Sequence, residues 1–224
     1  VCADRSPVPA FSFEGLTPQV DPTAFVAATA TLVGDVIVEA GASIWYGAVL
    51  RADYAPVIVR RGANVQDNAV VHGPPGLTTD IGEGATVGHN CVIHGATLGA
   101  RSLIANGCVV LDGAEIGAGA LVAAGSVVAA RARIPDGMLA AGAPAIVKQP
   151  VAGTGAPVVR AWRRSCGRSC GWCWRRCCPT PMPVSLQRGW WWEQSWVELN
   201  PAAYAELAAR HLRGIRPAGP PTGT

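Results

Sequence analysis

Three of the chain's four histidines lie close together in the sequence, in the strings V-V-H-G, V-G-H-N and I-H-G: they are His72, His89 and His94. Imidazole is the commonest metal-coordinating side chain. Three imidazoles and one open position make the usual arrangement of a catalytic zinc ion that activates water. These residues therefore predict a metal site and a reaction in which water is the nucleophile.

A sequence repeat determines where these histidines point. Aliphatic residues recur, mostly at six-residue steps, at Val26, Leu32, Val38, Ile44, Leu50, Val59, Val65, Val71, Ile81, Val87, Ile93, Leu98, Ile104, Val110, Ile116, Val122, Val128 and Ile134. A small residue follows four places later in nearly every unit. This period predicts an all-β fold, a parallel β-helix with three hexads in each coil, and the eighteen hexads give about six coils. An amphipathic helix would need apolar residues at three- and four-residue steps.

Counting the hexads by threes puts His72 and His94 in the same slot of successive coils, each directly after a second-side aliphatic residue. Side chains alternate along a strand, so both imidazoles point outward, about 4.8 Å apart. At that separation the two imidazoles can share a zinc ion with bonds of about 2.0–2.1 Å. Arg51 occupies the same slot one coil below His72 and therefore borders the site.

His89 has a different position, two residues after Val87 and on the preceding side of the coil. It cannot easily turn around the corner to the other two histidines of its own chain. We therefore predict that the third ligand comes from a neighbouring subunit. A closed ring with this heterologous contact gives three equivalent sites, so the predicted assembly is a homotrimer.

Further motifs accompany the histidines: W-Y-G-A-V-L-R-A-D from Trp45 to Asp53, N-V-Q-D from Asn64 to Asp67, and G-A-P-A from Gly142 to Ala145. With these motifs, the sequence from about residue 9 to residue 148 resembles the gamma-class carbonic anhydrases. Those enzymes are left-handed β-helix trimers with a metal ion at each subunit interface. The resemblance implies a lyase that reversibly hydrates carbon dioxide to bicarbonate by means of a zinc-bound hydroxide.

The resemblance also implies roles for individual residues. His72, His89 and His94 would bind zinc, with iron or cobalt as alternatives. Gln66 and Asn64 would hydrogen-bond the hydroxide and carbon dioxide, and Arg51, Asp53 and Asp67 would form an interface network beside the site. From the residues alone, the three charged side chains could equally be interface ion pairs, and the two amides could cap turns.

One departure from the family pattern bears on the rate. The most active members carry acidic residues in the loop after the first histidine, whereas here 73–79 reads G-P-P-G-L-T-T, and Tyr54 stands where an acid can follow R-x-D. We therefore expect weak activity. Two other functions remain open: a hexapeptide-repeat acyltransferase, which would use one catalytic histidine and a coenzyme A cleft, and a non-catalytic metal-binding assembly subunit.

The predicted organisation has five parts. Residues 1–22 form an N-terminal segment, 23–148 the β-helix, 149–197 an irregular segment, 198–214 a C-terminal α-helix and 215–224 a flexible tail. The helix follows from Asn200 as an N-cap and Pro201 in the first turn. Its apolar face is predicted to consist of Tyr204, Leu207, Ala208 and Leu212.

The composition changes abruptly within the irregular segment. Between about 158 and 192 it is dominated by Arg, Trp, Cys, Gly and Pro, and it holds Cys166, Cys170, Cys173, Cys177 and Cys178. We interpret this stretch as sequence read out of frame and predict that it is mobile and removable; the alternative is a metal or disulfide module built on its C-x-x-C pair. Cys91 and Cys108 occupy small-residue slots of the repeat, which predicts a packing role.

Charge and hydropathy exclude several classes of function. Residues 1–148 hold eight Lys and Arg against twelve Asp and Glu, so the predicted β-helix is mildly acidic and offers no basic stripe to nucleic acid. No uninterrupted apolar stretch reaches transmembrane length, and the first residues lack the pattern of a secretion signal. The sequence therefore predicts a cytoplasmic protein without nucleic-acid or membrane partners.

Overall fold

A computed structural model describes residues 9–151, 202–211 and 213. The strands are β1 (Ala10–Phe11), β2 (Gln19–Val20), β3 (Phe25–Val26), β4 (Thr31–Val38), β5 (Ser43–Ile44), β6 (Val49–Val59), β7 (Asn64–Val65), β8 (Val70–His72), β9 (Thr79–Ile81), β10 (Thr86–Val87), β11 (Val92–His94), β12 (Thr97–Leu98), β13 (Leu103–Ile104), β14 (Val109–Val110), β15 (Glu115–Ile116), β16 (Leu121–Val122), β17 (Val127–Val128), β18 (Arg133–Ile134), β19 (Met138–Gly142) and β20 (Ala145–Pro150). Residues 202–211 form a helix, named α1 here.

The strands stack coil on coil in the register that the repeat predicts. On the first side, parallel pairing joins residues Val26, Ile44, Val65, Val87, Ile104 and Val122 in one column. The result is a β-solenoid of about seven turns that matches a left-handed β-helix, which confirms the predicted fold. The extra turn is β19, which stacks Ala140 on Val122; it escaped the aliphatic pattern because the residue is alanine.

The core is the narrow interior of the solenoid. The inward aliphatic residue of each strand is almost completely buried, from Leu32 in the first coils to Val128 near the end. The small residues close the corners, where Cys91 and Cys108 lie buried as free thiols. Their thiols donate to the carbonyl oxygens of Ala105 and Ala123, both at 3.0 Å, so the predicted packing role is confirmed.

Helix α1 confirms the predicted C-terminal helix over 202–211. It packs Ala208 against Phe25 and Trp45, with Tyr204 and Leu207 at the edge of the same cluster. The predicted cap at Asn200 and the unusual stretch 158–192 lie outside the described residues. Within the described part of the chain, no helix has the length and apolar character that a membrane crossing requires.

One core position carries a serine where the neighbouring coils carry alanine, and this serine lowers the stability of the fold. Ser102 is 1 % exposed, and its Oγ is the one buried side-chain oxygen or nitrogen in the described residues without a hydrogen-bond partner. The corresponding slots of the neighbouring coils hold Ala85 and Ala120. A buried hydroxyl without a partner loses its hydrogen bonds to water and gains none in return.

We therefore expect Ser102→Ala to raise the free energy of unfolding by about 1 kcal/mol, measured by chemical denaturation. The matched control is Ser126→Ala, since the buried Ser126 Oγ accepts a hydrogen bond from the Gly142 amide at 3.1 Å. That control should destabilise the protein. Equal loss of stability in both variants would contradict the assignment of Ser102 as unsatisfied.

Candidate metal site

Strands β6, β8 and β11 place Arg51, His72 and His94 in one outward column. Arg51 pairs with His72, and His72 pairs with His94, as the hexad count predicts. The backbone register alone thus brings the two histidines together, and their ring centroids lie 4.9 Å apart. The His72 side chain is largely buried, whereas about a third of the His94 side chain is exposed.

The two rings form the centre of a hydrogen-bonded chain that runs along the solenoid. Asp53 Oδ1 lies 2.8 Å from His72 Nε2, and Asp112 Oδ1 lies 2.7 Å from His94 Nδ1. Between them, His72 Nδ1 and His94 Nε2 are 3.0 Å apart. A carboxylate therefore stands at each end and two imidazole nitrogens face each other in the middle.

The two aspartates determine where the protons lie in this row of hydrogen bonds. Partial burial raises the pKa of Asp53, but hydrogen bonds from His72 and from the backbone, with the charge of Arg51, outweigh it and hold that pKa below its usual value. Ionised carboxylates only accept, so each neutral imidazole must turn its single N–H toward its aspartate. Two lone pairs then face each other between the rings.

Two facing lone pairs require a cation between or beside them, either a proton on one ring or a metal ion. Zinc–nitrogen bonds of about 2.0–2.1 Å in tetrahedral geometry separate two ligand nitrogens by about 3.3 Å. The observed 3.0 Å is an ordinary N–H···N hydrogen-bond distance, and it is also within a few tenths of an ångström of that value. Carboxylates on the second ring nitrogens are also the usual outer partners of metal-binding histidines. The donor set fits a zinc-like ion.

His89 lies on another edge of the solenoid. It follows Asp67 and Tyr46 in one corner column, in which Asn90 N bonds the carbonyl of Asp67 at 3.0 Å. His89 Nδ1 is 2.9 Å from Asp67 Oδ2, and His89 Nε2 is 3.3 Å from the hydroxyl of Tyr204. Each of the three histidines thus has one ring nitrogen on an aspartate. In the neutral form of each ring, the other nitrogen keeps a lone pair.

A single chain brings two of the predicted ligands together and keeps the third apart. Among residues 9–151, 202–211 and 213, no three His, Cys, Asp or Glu side chains gather as a metal-binding group. The separation of His89 from the pair agrees with its predicted placement around the corner. Its predicted delivery by a second subunit remains a prediction.

The amides Asn64 and Gln66 lie one coil below His89 on the first side. Gln66 Nε2 donates to Asn64 Oδ1 at 3.1 Å, and Asn64 Nδ2 donates to Thr86 Oγ1 at 2.9 Å. Both amides are buried. Their hydrogen bonds within the described residues therefore run along this face, and their role toward the hydroxide and carbon dioxide stays a prediction.

The predicted charged residues occupy positions beside the histidines. Arg51 forms an ion pair with Asp53, directly next to His72. The exposed Tyr54 follows them on the same strand. Asp67 contacts His89 within the chain, and its membership of the interface network stays a prediction.

The loop after His72 is fixed without any acidic residue. Thr79 Oγ1 donates to the carbonyl of His72 at 2.5 Å and accepts from Gly95 N at 3.0 Å, which closes the loop onto the next coil. Gly73 is required where the loop leaves, because a Cβ there would overlap the carbonyl of Ala55.

Sequence reasoning missed two residues of the site. Asp112 lies two positions after Val110, one coil above His94, so the register could have identified it as a candidate partner. Tyr204 was expected only as an apolar contact of helix α1. Burial raises the pKa of its hydroxyl, and the charge of Asp67 raises it further, so the group is a hydrogen-bond donor. No sequence pattern showed that it reaches His89.

Comparisons with known proteins agree on the repeat. A family model described as "Bacterial transferase hexapeptide (six repeats)" matches residues 78–112 and 95–130. Over 101 residues the chain is 45% identical to the carnitine operon protein CaiE of Escherichia coli O157:H7, an alignment that covers 45% of this chain and 52% of that protein. The chain spans about half the length of the curated relatives it matches.

Two solved structures share the architecture over most of the chain. A hexapeptide transferase family protein from Anaplasma phagocytophilum is 29% identical with a TM-score of 0.67, over 90% of this chain and 97% of that one. A Bacillus cereus protein described as an acetyltransferase is 27% identical with a TM-score of 0.64, over 88% and 97%. These similarities agree with the six-residue repeat of the sequence and with the stacked coils of the structure.

Proposed function

We propose that this protein is a metal-dependent enzyme that reversibly hydrates carbon dioxide to bicarbonate. The observation that carries the proposal is the facing pair His72 Nδ1 and His94 Nε2, 3.0 Å apart, with Asp53 and Asp112 on the outer nitrogens. Zinc is the ion that this donor set suits best, and iron or cobalt would suit it as well. Such a metal lowers the pKa of bound water to about 7, which makes hydroxide available for attack on carbon dioxide.

Several side chains of the protein orient the proposed metal ligands. Asp53 and Asp112 fix the tautomers of His72 and His94, so that both lone pairs point to one place. Asp67 does the same for His89. The buried amides of Asn64 and Gln66 supply hydrogen-bonding groups near the corner that carries His89. The loop after His72 brings no carboxylate to receive a proton, so we expect slow turnover.

The proposed active form is a homotrimer in which His89 of one subunit completes the pair of the next. A second feature supports a contact on this face. Outward valines stack in register beside the histidine column, at Val49, Val70, Val92, Val109 and Val127. Val70 is 40% exposed, although the stacked Val49 and Val92 flank it in this apolar stripe. A second copy of the chain would cover the stripe and bring the third imidazole.

A second candidate function is acyl transfer, favoured by the family model and by the descriptions of the two solved structures. An acyltransferase of this fold would use one histidine as a general base and would need no metal. His89 with Asp67 has the arrangement of such a base, since the carboxylate fixes the tautomer of the ring. The facing pair of His72 and His94 has no part in that mechanism.

The first test removes the ligands one at a time. Because three imidazoles are proposed to close one site, alanine in place of His72, His89 or His94 should abolish both stoichiometric metal and carbon dioxide hydration. Metal analysis and a hydration assay on the same sample measure the two properties. Full metal content in two of the three variants would disprove the site. Acetyl transfer from acetyl-coenzyme A that survives chelation would favour the second candidate function.

A mixing experiment tests the shared geometry. His89→Ala chains and His72→Ala chains should each be inactive alone. After joint refolding they should regain part of the activity, since a mixed trimer has an interface at which all three ligands are intact. Mass measurement shows whether mixed trimers have formed. Mixed trimers without any recovered activity would refute ligand donation between subunits.

The outer carboxylates provide a separate test. We expect Asp112→Ala to weaken metal binding about 10- to 100-fold, because His94 loses the partner that holds its ring and tautomer. The matched control is Glu115→Ala, which also removes one negative charge but breaks only an exposed pair with Arg133. Competition with a chromophoric chelator measures the affinity. An equal loss in both variants would indicate a general charge effect rather than positioning.

A further inference from the structure

The third histidine is contacted by a helix that lies far away in the sequence. Helix α1 carries Tyr204, whose ring packs edge-on against Trp45 with centroids 5.2 Å apart. At the other end of the helix, His211 Nδ1 is 2.9 Å from the hydroxyl of Tyr46. His211 also packs against Trp45 and Phe25, with centroids 5.2 and 5.9 Å apart. These contacts hold the helix along the corner column and keep the Tyr204 hydroxyl beside His89.

The direction of the hydrogen bond at His89 follows from its two partners. Asp67 Oδ2 accepts from Nδ1–H at 2.9 Å, so Nε2 carries the lone pair of the neutral ring. Burial and the charge of Asp67 raise the pKa of the Tyr204 phenol above its usual value, so the hydroxyl is protonated at neutral pH. The Tyr204 hydroxyl, 3.3 Å away, therefore donates to His89 Nε2. This nitrogen is also the only one that His89 can offer to a metal ion.

We propose that Tyr204 is a placeholder for the metal: its hydroxyl satisfies His89 Nε2 in the metal-free protein and must release that nitrogen when the metal binds. This inference rests on the proposed function of the site. One lone pair cannot accept a hydrogen bond and bind a metal at the same time, so the two states exclude each other. Helix docking through Tyr204 and metal loading at His89 therefore oppose one another.

The competition predicts a change in metal affinity in the direction opposite to that of a purely structural role. Removing the hydroxyl takes the Tyr204 hydrogen bond away from the metal-free state and leaves the metal-loaded state unchanged. Tyr204→Phe should therefore bind the metal more tightly, by about three- to tenfold, the factor that one neutral hydrogen bond supplies. A side chain that only supports the helix would, when altered, weaken metal binding or leave it unchanged.

The test compares the full-length protein with Tyr204→Phe and Tyr46→Phe, each stripped with a chelator and titrated with Zn²⁺ against a chromophoric competitor. Tyr46→Phe is the matched control, since it removes the other hydroxyl that bonds across the helix interface, at His211 rather than at His89. We expect tighter binding in Tyr204→Phe alone. Its melting temperature should fall in the metal-free form and match the parent in the zinc-loaded form.

The experiment distinguishes failure of the proposed function from failure of the placeholder role of Tyr204. If the parent protein takes up no stoichiometric zinc, the proposed function is wrong and the placeholder falls with it. If the parent binds zinc and Tyr204→Phe binds it equally or more weakly, the placeholder alone is wrong. An equal gain in affinity in Tyr46→Phe would also overturn it, because the effect would then come from a loosened helix rather than from the freed nitrogen.

Discussion

The inward stacking of aliphatic side chains is the constraint on which the rest of the molecule depends. Each coil adds one buried Val, Ile or Leu to each side, and parallel pairing locks every residue to its counterparts one coil above and below. A shift of one residue would turn the aliphatic row outward and bury the polar row, at a prohibitive cost in free energy. The backbone register that this constraint imposes is enough by itself to place His72 beside His94.

Electrostatics then determines what the stacked imidazoles can do. Aspartates at both ends of the His72–His94 chain take up the only N–H group of each neutral ring. The two lone pairs that remain face each other in a partly buried column. Without a proton or a metal ion between the rings the two lone pairs repel, so with both rings neutral the arrangement is unfavourable for stability. Groups held in such an unfavourable geometry are typical of functional sites, because a bound ligand relieves the strain.

The sequence predicts most of what the repeat controls. The period of six determines the fold, the coil register, the column of Arg51, His72 and His94, and the separate position of His89. The seventh turn escaped the count because its core residue, Ala140, is not distinguishable from a corner residue by hydropathy. The contact of Asp112 with His94 depends on a rotamer that reaches back one coil, which a period cannot specify.

Helix α1 lies beyond the reach of the repeat for a different reason. Its own pattern predicted that it forms and which face is apolar. Where that face docks depends on the shape of the surface made by Phe25, Trp45 and Tyr46, three residues on two coils near the other end of the chain. Local periodicity carries no information about such a long-range contact. The link from Tyr204 to His89 was therefore visible only in three dimensions.

The two candidate functions differ in how many lone pairs they need at one place. A general base needs one, and His89 with Asp67 provides one on a partly exposed corner. A metal centre needs several that converge, which is unfavourable until the cation is present. The 3.0 Å between His72 Nδ1 and His94 Nε2, with a carboxylate behind each ring, suits a shared proton or a shared metal ion. Because a proton on one ring or a metal ion beside both offsets that cost, the pair is compatible with both candidate functions, and the metal content of the protein distinguishes them.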